Sequence, residues 1–230
     1  MGTSLDRMDR RTLVVAIDGP SGSGKSTVAR GVAARLGLRY LDTGAMYRAV
    51  TWLALDRGVQ LDDPAALTTL AEAATLEVTT DPEQPAIVAA GTDVTAAVRG
   101  AEVTAAVSQV SAVAGVRDAM VRRQRELIGA GGIVVEGRDI GSTVAPEAAV
   151  KVYLDADATT RAQRRTAQDG GAATQAANTE VALRERDAAD ATRTASPLQK
   201  APDAVVIDSS TMTIDEVVQA VLDRTAAVSA

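Results

Sequence analysis

The sequence predicts a single α/β domain, a five-stranded parallel sheet flanked by helices with a small antiparallel insertion. Three observations carry that expectation. Short continuous apolar runs alternate with longer helical patterns, as crossover units require. A glycine-rich turn joins the first such run to the first helical pattern. The 230 residues are enough for one core of this kind and show no internal repeat.

The five strands are read, in order, at residues 12–17 (TLVVAI), 38–41 (LRYL), 133–136 (IVVE), 150–154 (VKVYL) and 204–208 (AVVID). Unbroken apolar runs of this length suit strands buried on both faces. Helical patterns fall at 25–36, 44–56, 112–128, 158–168 and 214–226. Residues 76–98 break the alternation. Two strand-like runs flank DPEQP there, and Gly91-Thr92-Asp93 reads as a turn, so an antiparallel unit is expected between the second and third sheet strands. Residues 167–177 (AQDGGAATQAA) read as a mobile loop. Residues 1–11 are charged and lack an apolar core, which reads as a disordered leader and not as a signal peptide.

Composition excludes several chemistries. With neither Cys nor His, the chain has no thiol nucleophile, no thiolate or imidazole metal site and no Ser-His-Asp triad. A net charge of −6 argues against non-specific nucleic-acid binding. No apolar run approaches the ~18 residues of a membrane helix, so no membrane partner is expected and the cytoplasm is the default location. Of 24 basic residues only Lys25, Lys151 and Lys200 are lysines. The remainder are arginines, whose rigid fork grips phosphate.

The turn after the first strand reads Gly19-Pro20-Ser21-Gly22-Ser23-Gly24-Lys25-Ser26-Thr27. This is GxxxxGK[ST] in its required context, after a buried strand and opening a helix. It therefore makes the fold P-loop NTPase-type. Glycines let backbone amides turn onto phosphate oxygens, and the helix N-terminus adds partial positive charge. Lys25 is placed to reach the β- and γ-phosphates and the Ser26 hydroxyl to ligate magnesium, which predicts ATP with Mg²⁺ as ligand. The only Asn is Asn178, followed by Thr, so no guanine-reading NKxD motif exists. A small-molecule kinase is the leading class.

The acceptor must be read elsewhere. Leu41-Asp42-Thr43-Gly44-Ala45-Met46-Tyr47-Arg48 starts at a strand's C-terminal end, where α/β sheets bind ligands. Thr43 is placed to cap the following helix. Arg48 lies one turn in, near the positive end, a poor place for a cation unless an anion is bound there. Glu136-Gly137-Arg138-Asp139-Ile140-Gly141 follows the third sheet strand, and 184–193 reads RERDAADATR, by itself an ordinary solvated helix.

Together IDGPSGSGKST, LDTGAMYR, SQVSAVAGVR with RRQR, EGRDIGS, VKVYLDA and RERD…D..R resemble the bacterial cytidylate kinase family, in the family's order and over nearly the whole chain. The resemblance implies ATP-dependent phosphorylation of CMP and dCMP by a monomer. It implies one kinase domain over 12–228, with a core of about 12–41, 106–156 and 198–228. The monophosphate-binding region would span about 42–105, including the insertion, and the lid about 157–190. Ser108, Arg117 and Asp139 would read cytosine: its amine needs an acceptor, its ring nitrogen and carbonyl need donors, and a carboxylate there repels uracil. Arg48, Arg138 and Arg193 would hold the CMP phosphate, with Gly137 beside them. Arg186 and Asp190 would serve the sugar, Tyr47 would pack on the nucleoside, and Thr43 matches a position that is often Ser. Arg161, Arg164 and Arg165 of the lid would close over the ATP phosphates. One departure is ERDAADA at 185–191, where the family often carries ERDDRDR: Ala189 replaces a basic residue. Another is the uncharged lid tip.

Such a reaction needs no general base. A nucleotide phosphate has its second pKa near ~6 and is already a nucleophile at neutral pH. Two rivals stand beside this reading. One is a kinase for another acceptor such as UMP, AMP or shikimate. The other is a P-loop binding or assembly protein that transfers nothing, which CMP-dependent ATP turnover would exclude.

Overall fold

The computed structural model describes residues 10–168, 175–193 and 198–228. The central sheet runs β2 (Arg39–Asp42), β6 (Ile133–Gly137), β1 (Val14–Asp18), β7 (Val150–Asp155), β8 (Val205–Asp208), and every pairing in it is parallel. These are the five predicted strands, shifted by at most two residues.

Alternate side chains enter two cores, because successive residues of a strand face opposite sides of the sheet. Val15 and Ile17 pack with Val134 against α1 (Lys25–Leu36) and α8 (Ile214–Val228). Ala16 joins Ile133 and Val135 in the larger core under α2 (Thr43–Asp56), α3 (Pro64–Ala73), α4 (Ala101–Ala112) and α5 (Ala114–Ile128). Met46, Leu53, Leu67 and Met120 fill volume there that Phe would take in other proteins.

The insertion is present as a three-stranded antiparallel sheet: β3 (Leu76–Val78), β4 (Ile87–Ala89) and β5 (Thr92–Asp93). The expected Gly-Thr-Asp turn is displaced by one residue. The bend is Ala90-Gly91, with φ of 50° and 80°, and Thr92 and Asp93 pair back onto β4. Positive φ at both central residues is what a two-residue hairpin needs.

Helices α3 and α4 were not expected. Asp63 caps α3 by accepting from the amides of Ala65 and Ala66, and Pro64 occupies its first turn. The predicted 112–128 helix starts at Ala114, because Val113 is extended (φ −70°, ψ 121°) and turns the chain between α4 and α5. The last two helices of the site, α6 (Ala158–Gln168) and α7 (Ala176–Thr192), pack on one another. Most of the expected mobile loop, including Gly170-Gly171, lies outside the described residues, as does most of the expected leader. No helix among the described residues is long and apolar enough to cross a membrane.

Parallel pairing puts all strand C-termini on one edge. The register sets Asp18 opposite Gly137 and Asp42 opposite Glu136. That edge carries the site.

Candidate active site

The turn after β1 has the backbone its glycines allow. Gly19, Gly22 and Gly24 have φ of 149°, 79° and 92°. A Cβ at Gly19 would lie 2.1 Å from the Leu154 carbonyl oxygen, and one at Gly22 2.7 Å from that of Arg161. Side chains are excluded there by backbone, not by soft neighbours. Gly24 in left-handed conformation starts α1. Lys25 is half-buried and its Nζ donates to the Pro20 carbonyl (2.7 Å), folding across the mouth of the loop. Loss of hydration, then the like charge of Arg138, push its ammonium down to about 8. The buried Ser23 hydroxyl has no partner among the described residues.

Beside the loop, two buried carboxylates organise the strand ends. Asp18 accepts from the amides of Ile140 and Gly141 (2.8 Å each), pinning the turn that carries Arg138 and Asp139. Burial pushes its pKa up to about 6 despite these amides. Glu136 lies on the neighbouring strand, accepts from the Tyr40 hydroxyl (2.5 Å) and faces the Ser26 hydroxyl. Burial, then the charge of Asp42, push Glu136 up to about 7. Ser26 and Glu136 fit a magnesium ion: a hydroxyl and a carboxylate against the loop, leaving other positions to phosphate oxygens and water. Among the described residues no group of three acidic side chains could hold a metal by itself, so the ion would need the nucleotide.

Glu136 also yields a prediction with a defined sign. Its folded pKa lies above its ordinary 4.5. The unfolded chain therefore loses the proton first, and stability falls as pH rises from about 4.5 to about 7. Glu136→Gln removes this loss, so urea unfolding at pH 8 should show a gain on the order of 2 kcal/mol that vanishes at pH 4.5. The same variant should need more magnesium for turnover. Asp18 titrates alike in both proteins and cancels in the comparison.

The second half of the site is a cluster of arginines. Arg138, half-buried at the end of β6, donates to the Ser21 hydroxyl (2.9 Å) and pairs with Asp187 and Asp190 (3.0 Å each). Arg193 pairs with Asp190 at 3.4 Å and donates to Ser111 Oγ at 3.5 Å. Arg48 donates to the Val98 carbonyl and to Thr104 Oγ1, both at 2.9 Å. Burial and the like charges of Arg138 and Arg48 push Arg186 down to about 10. Cations held together in this way imply an anion among them. Most of α7 is exposed, as its composition suggests, but Leu183 and Asp190 are buried, Asp190 at 3% exposed, which turns one face of the helix onto the arginines.

Arg117 and Asp139 form a buried pair at 2.5 Å, with side chains 3% and 6% exposed. The Arg117 guanidinium also lies 5.2 Å from the centre of the Tyr47 ring. The Tyr47 hydroxyl faces Gln124, outside good hydrogen-bond geometry. Burial raises that hydroxyl's pKa to about 12. Around this cluster the Tyr47 hydroxyl, Arg117 Nε, Arg186 Nε, and Arg193 Nε and Nη2 are buried without a partner among the described residues. Each such group costs about 1–3 kcal/mol unless something else satisfies it. That is the signature of a pocket built for a polar ligand.

Some sequence-named residues sit differently from expectation. Thr43 is not the cap: Asp42 accepts from the Ala45 amide, and the Thr43 hydroxyl donates to the Glu136 carbonyl (2.7 Å). Gly137 is packed, since a Cβ there would meet Thr43 Oγ1 at 2.7 Å. Ser108 is half-buried on α4, and Ser111, one turn on, makes the contacts to Arg117 and Arg193. In the proposed lid, Arg161 reaches the Ser21 carbonyl (3.1 Å). Arg164 grips Ser209 (2.9 and 2.7 Å), tying α6 to the loop after β8, and also reaches the Ser23 carbonyl of the P-loop at 3.5 Å, while Arg165 lies near Arg186. Thr27 is exposed on α1. Sequence reasoning missed Glu136 as a site residue, Ser111 and Asp187. An acidic residue two before Arg138 on a strand beside the P-loop strand was the available signal for Glu136.

The sequence pattern of the cytidylate kinase family matches residues 15–227. This chain belongs to that family. A cytidylate kinase of Streptomyces avermitilis is 49% identical over 212 residues, covering 91% of each chain. One of Nocardia farcinica is 51% identical over 209 residues, covering 90% of each. A crystal structure of an uncharacterised protein from Eubacterium ventriosum shares the fold with TM-score 0.50 at 11% identity, over 92% of this chain and 97% of that one. Membership of the family accounts for both halves of the site, a donor cradle and an acceptor pocket.

Proposed function

We infer that the chain transfers the terminal phosphoryl group of ATP to CMP and dCMP, giving CDP and dCDP. One observation carries the reading beyond family membership: arginines with unsatisfied buried nitrogens surround a second pocket directly beside the phosphate cradle. A binding protein would have no use for them.

The P-loop amides and Lys25 hold the ATP phosphates, while Ser26 and Glu136 would hold Mg²⁺, which supplies charge neutralisation between the phosphates. Arg48, Arg138, Arg186 and Arg193 receive the CMP phosphate. The Arg117–Asp139 pair, with Ser108 and Ser111 nearby, reads the cytosine edge, and Tyr47 packs on the nucleoside. Asp190 is placed for the sugar. The CMP phosphate oxygen attacks in line with no proton removed, and Arg138 and Arg161 neutralise charge at the transferring group. Residues 42–105 form the monophosphate-binding region and 157–190 the lid, of which Arg161 is the phosphate-facing arginine. Arg164 braces that helix against Ser209, and Arg165, near Arg186, adds positive charge on the same side. We place the protein in the cytoplasm, the default for a chain with neither a membrane-length apolar run nor a signal-peptide pattern, and, from the sequence resemblance, take it to act on free nucleotides as a monomer.

A coupled ADP-release assay with ATP and magnesium tests this. Turnover should appear with CMP and dCMP and be weak with UMP, AMP and dTMP. If no monophosphate stimulates ADP release, the acceptor assignment fails and a P-loop binding role remains.

A further inference from the structure

Asp187 is unexplained by the reaction as derived so far. It projects from α7 into the phosphate cradle. One carboxylate oxygen accepts from the Ser21 amide (3.2 Å) and from Arg138 Nη1 (3.0 Å), and the other accepts from Arg161 Nη1. The three donors come from three elements: the P-loop, the end of β6 and α6. They are a backbone amide and two guanidinium forks converging on one negative group, which is the donor set a transferring phosphoryl group needs. Burial works to raise the Asp187 pKa, but Arg138, the Ser21 amide and Arg161 hold it below the usual carboxylate range, so the group is an anion at neutral pH.

We propose that Asp187 is an internal counter-anion at the position of the ATP terminal phosphoryl group, which nucleotide must displace to bind. The inference rests on reading the cradle as an ATP phosphate site. A carboxylate and a phosphoryl group cannot share these donors, and at such range like charges repel strongly. Displacement does not strand the arginines. Arg138 keeps Asp190 and the Ser21 hydroxyl, and Arg161 keeps the carbonyls of Ser21 and Ala156. Both forks therefore stay aimed at the place Asp187 vacates. Until then, Asp187 ties α7 to the P-loop and so holds Arg186, Asp190 and Arg193 of the acceptor pocket in place. It occupies one phosphoryl position only. ATP should feel it strongly and ADP, which lacks that group, weakly.

The test is calorimetric titration of wild-type, Asp187→Asn and Asp187→Ala proteins with magnesium ATP, magnesium ADP and tripolyphosphate, all without CMP. Asn keeps the shape and removes the charge, and Ala removes both. ATP and tripolyphosphate should bind each variant about 3- to 10-fold more tightly, with ADP changed less than twofold. CMP titration reports whether the fold and acceptor pocket persist in each variant. An ATP affinity that is unchanged or weaker in a variant that still binds CMP overturns the proposal and makes Asp187 an organiser of the arginines. CMP-dependent ADP release by the wild-type protein is measured separately, so the kinase reading and the counter-anion can fail independently.

Discussion

Arg138→Ala should lower kcat by about 10³-fold, the scale on which an arginine at a transferring phosphoryl group acts. Arg138, at the end of β6, links the P-loop to α7. It donates to Ser21 and pairs with both Asp187 and Asp190. Its removal leaves two carboxylates facing the nucleotide phosphates with one fewer cation between them. The loss should fall mainly on kcat, because Lys25 and the loop amides still bind ATP. Arg138→Lys keeps the charge but not the fork, and should recover only part of the rate. Steady-state kinetics with CMP varied at saturating ATP decide it. A kcat within tenfold of wild type would place Arg138 outside the transfer step.

Asp139→Ala has the second large effect, on stability and selectivity at once. The Arg117–Asp139 pair is almost fully buried and 2.5 Å apart. Removing one partner of such a pair leaves an uncompensated charge and costs about 3–5 kcal/mol. Here the stranded charge would be Arg117, held over the Tyr47 ring. In the proposed site the same carboxylate would accept from the cytosine amine and repel the uracil carbonyl, so the ratio of kcat/KM for CMP over UMP should collapse. Urea unfolding and the two-substrate kinetics are independent readouts. Lost stability with intact discrimination would make the pair purely structural. Asp139→Asn, which keeps the shape, should cost less stability and still blur the choice of base.

The elements most legible in the sequence were those whose pattern is local. Most sheet strands are short runs rich in Val and Ile, and the P-loop announces its own geometry because only glycine tolerates the backbone it needs. The Ala- and Thr-rich helices α3 and α4 were missed because small residues blur the 3.6-residue period, although Asp63-Pro64 is a clear helix start. The bend at Ala90-Gly91 was placed one residue late because a non-glycine residue there adopts positive φ.

The site divides in the same way. Sequence by itself identified the GxxxxGK[ST] turn at residues 19–27, excluded imidazole and thiol chemistry, and, through ordered motifs, pointed to the cytidylate kinase family. Only tertiary structure decided which arginines share that pocket. The three arginines of α6 look equivalent along the helix, yet Arg161 meets Ser21 and pairs with Asp187, Arg164 is held by Ser209 and the Ser23 carbonyl, and Arg165 approaches Arg186. Helical spacing says which residues share a face but not what the face meets. Glu136 and Asp187 acquire their roles in the same manner. Parallel register brings Glu136 beside Lys25 and Ser26 on a neighbouring strand, and the packing of α7 carries Asp187 166 residues back along the chain to Ser21. Side-chain chemistry is written locally, whereas the convergence of charges on one point is set by how distant elements pack.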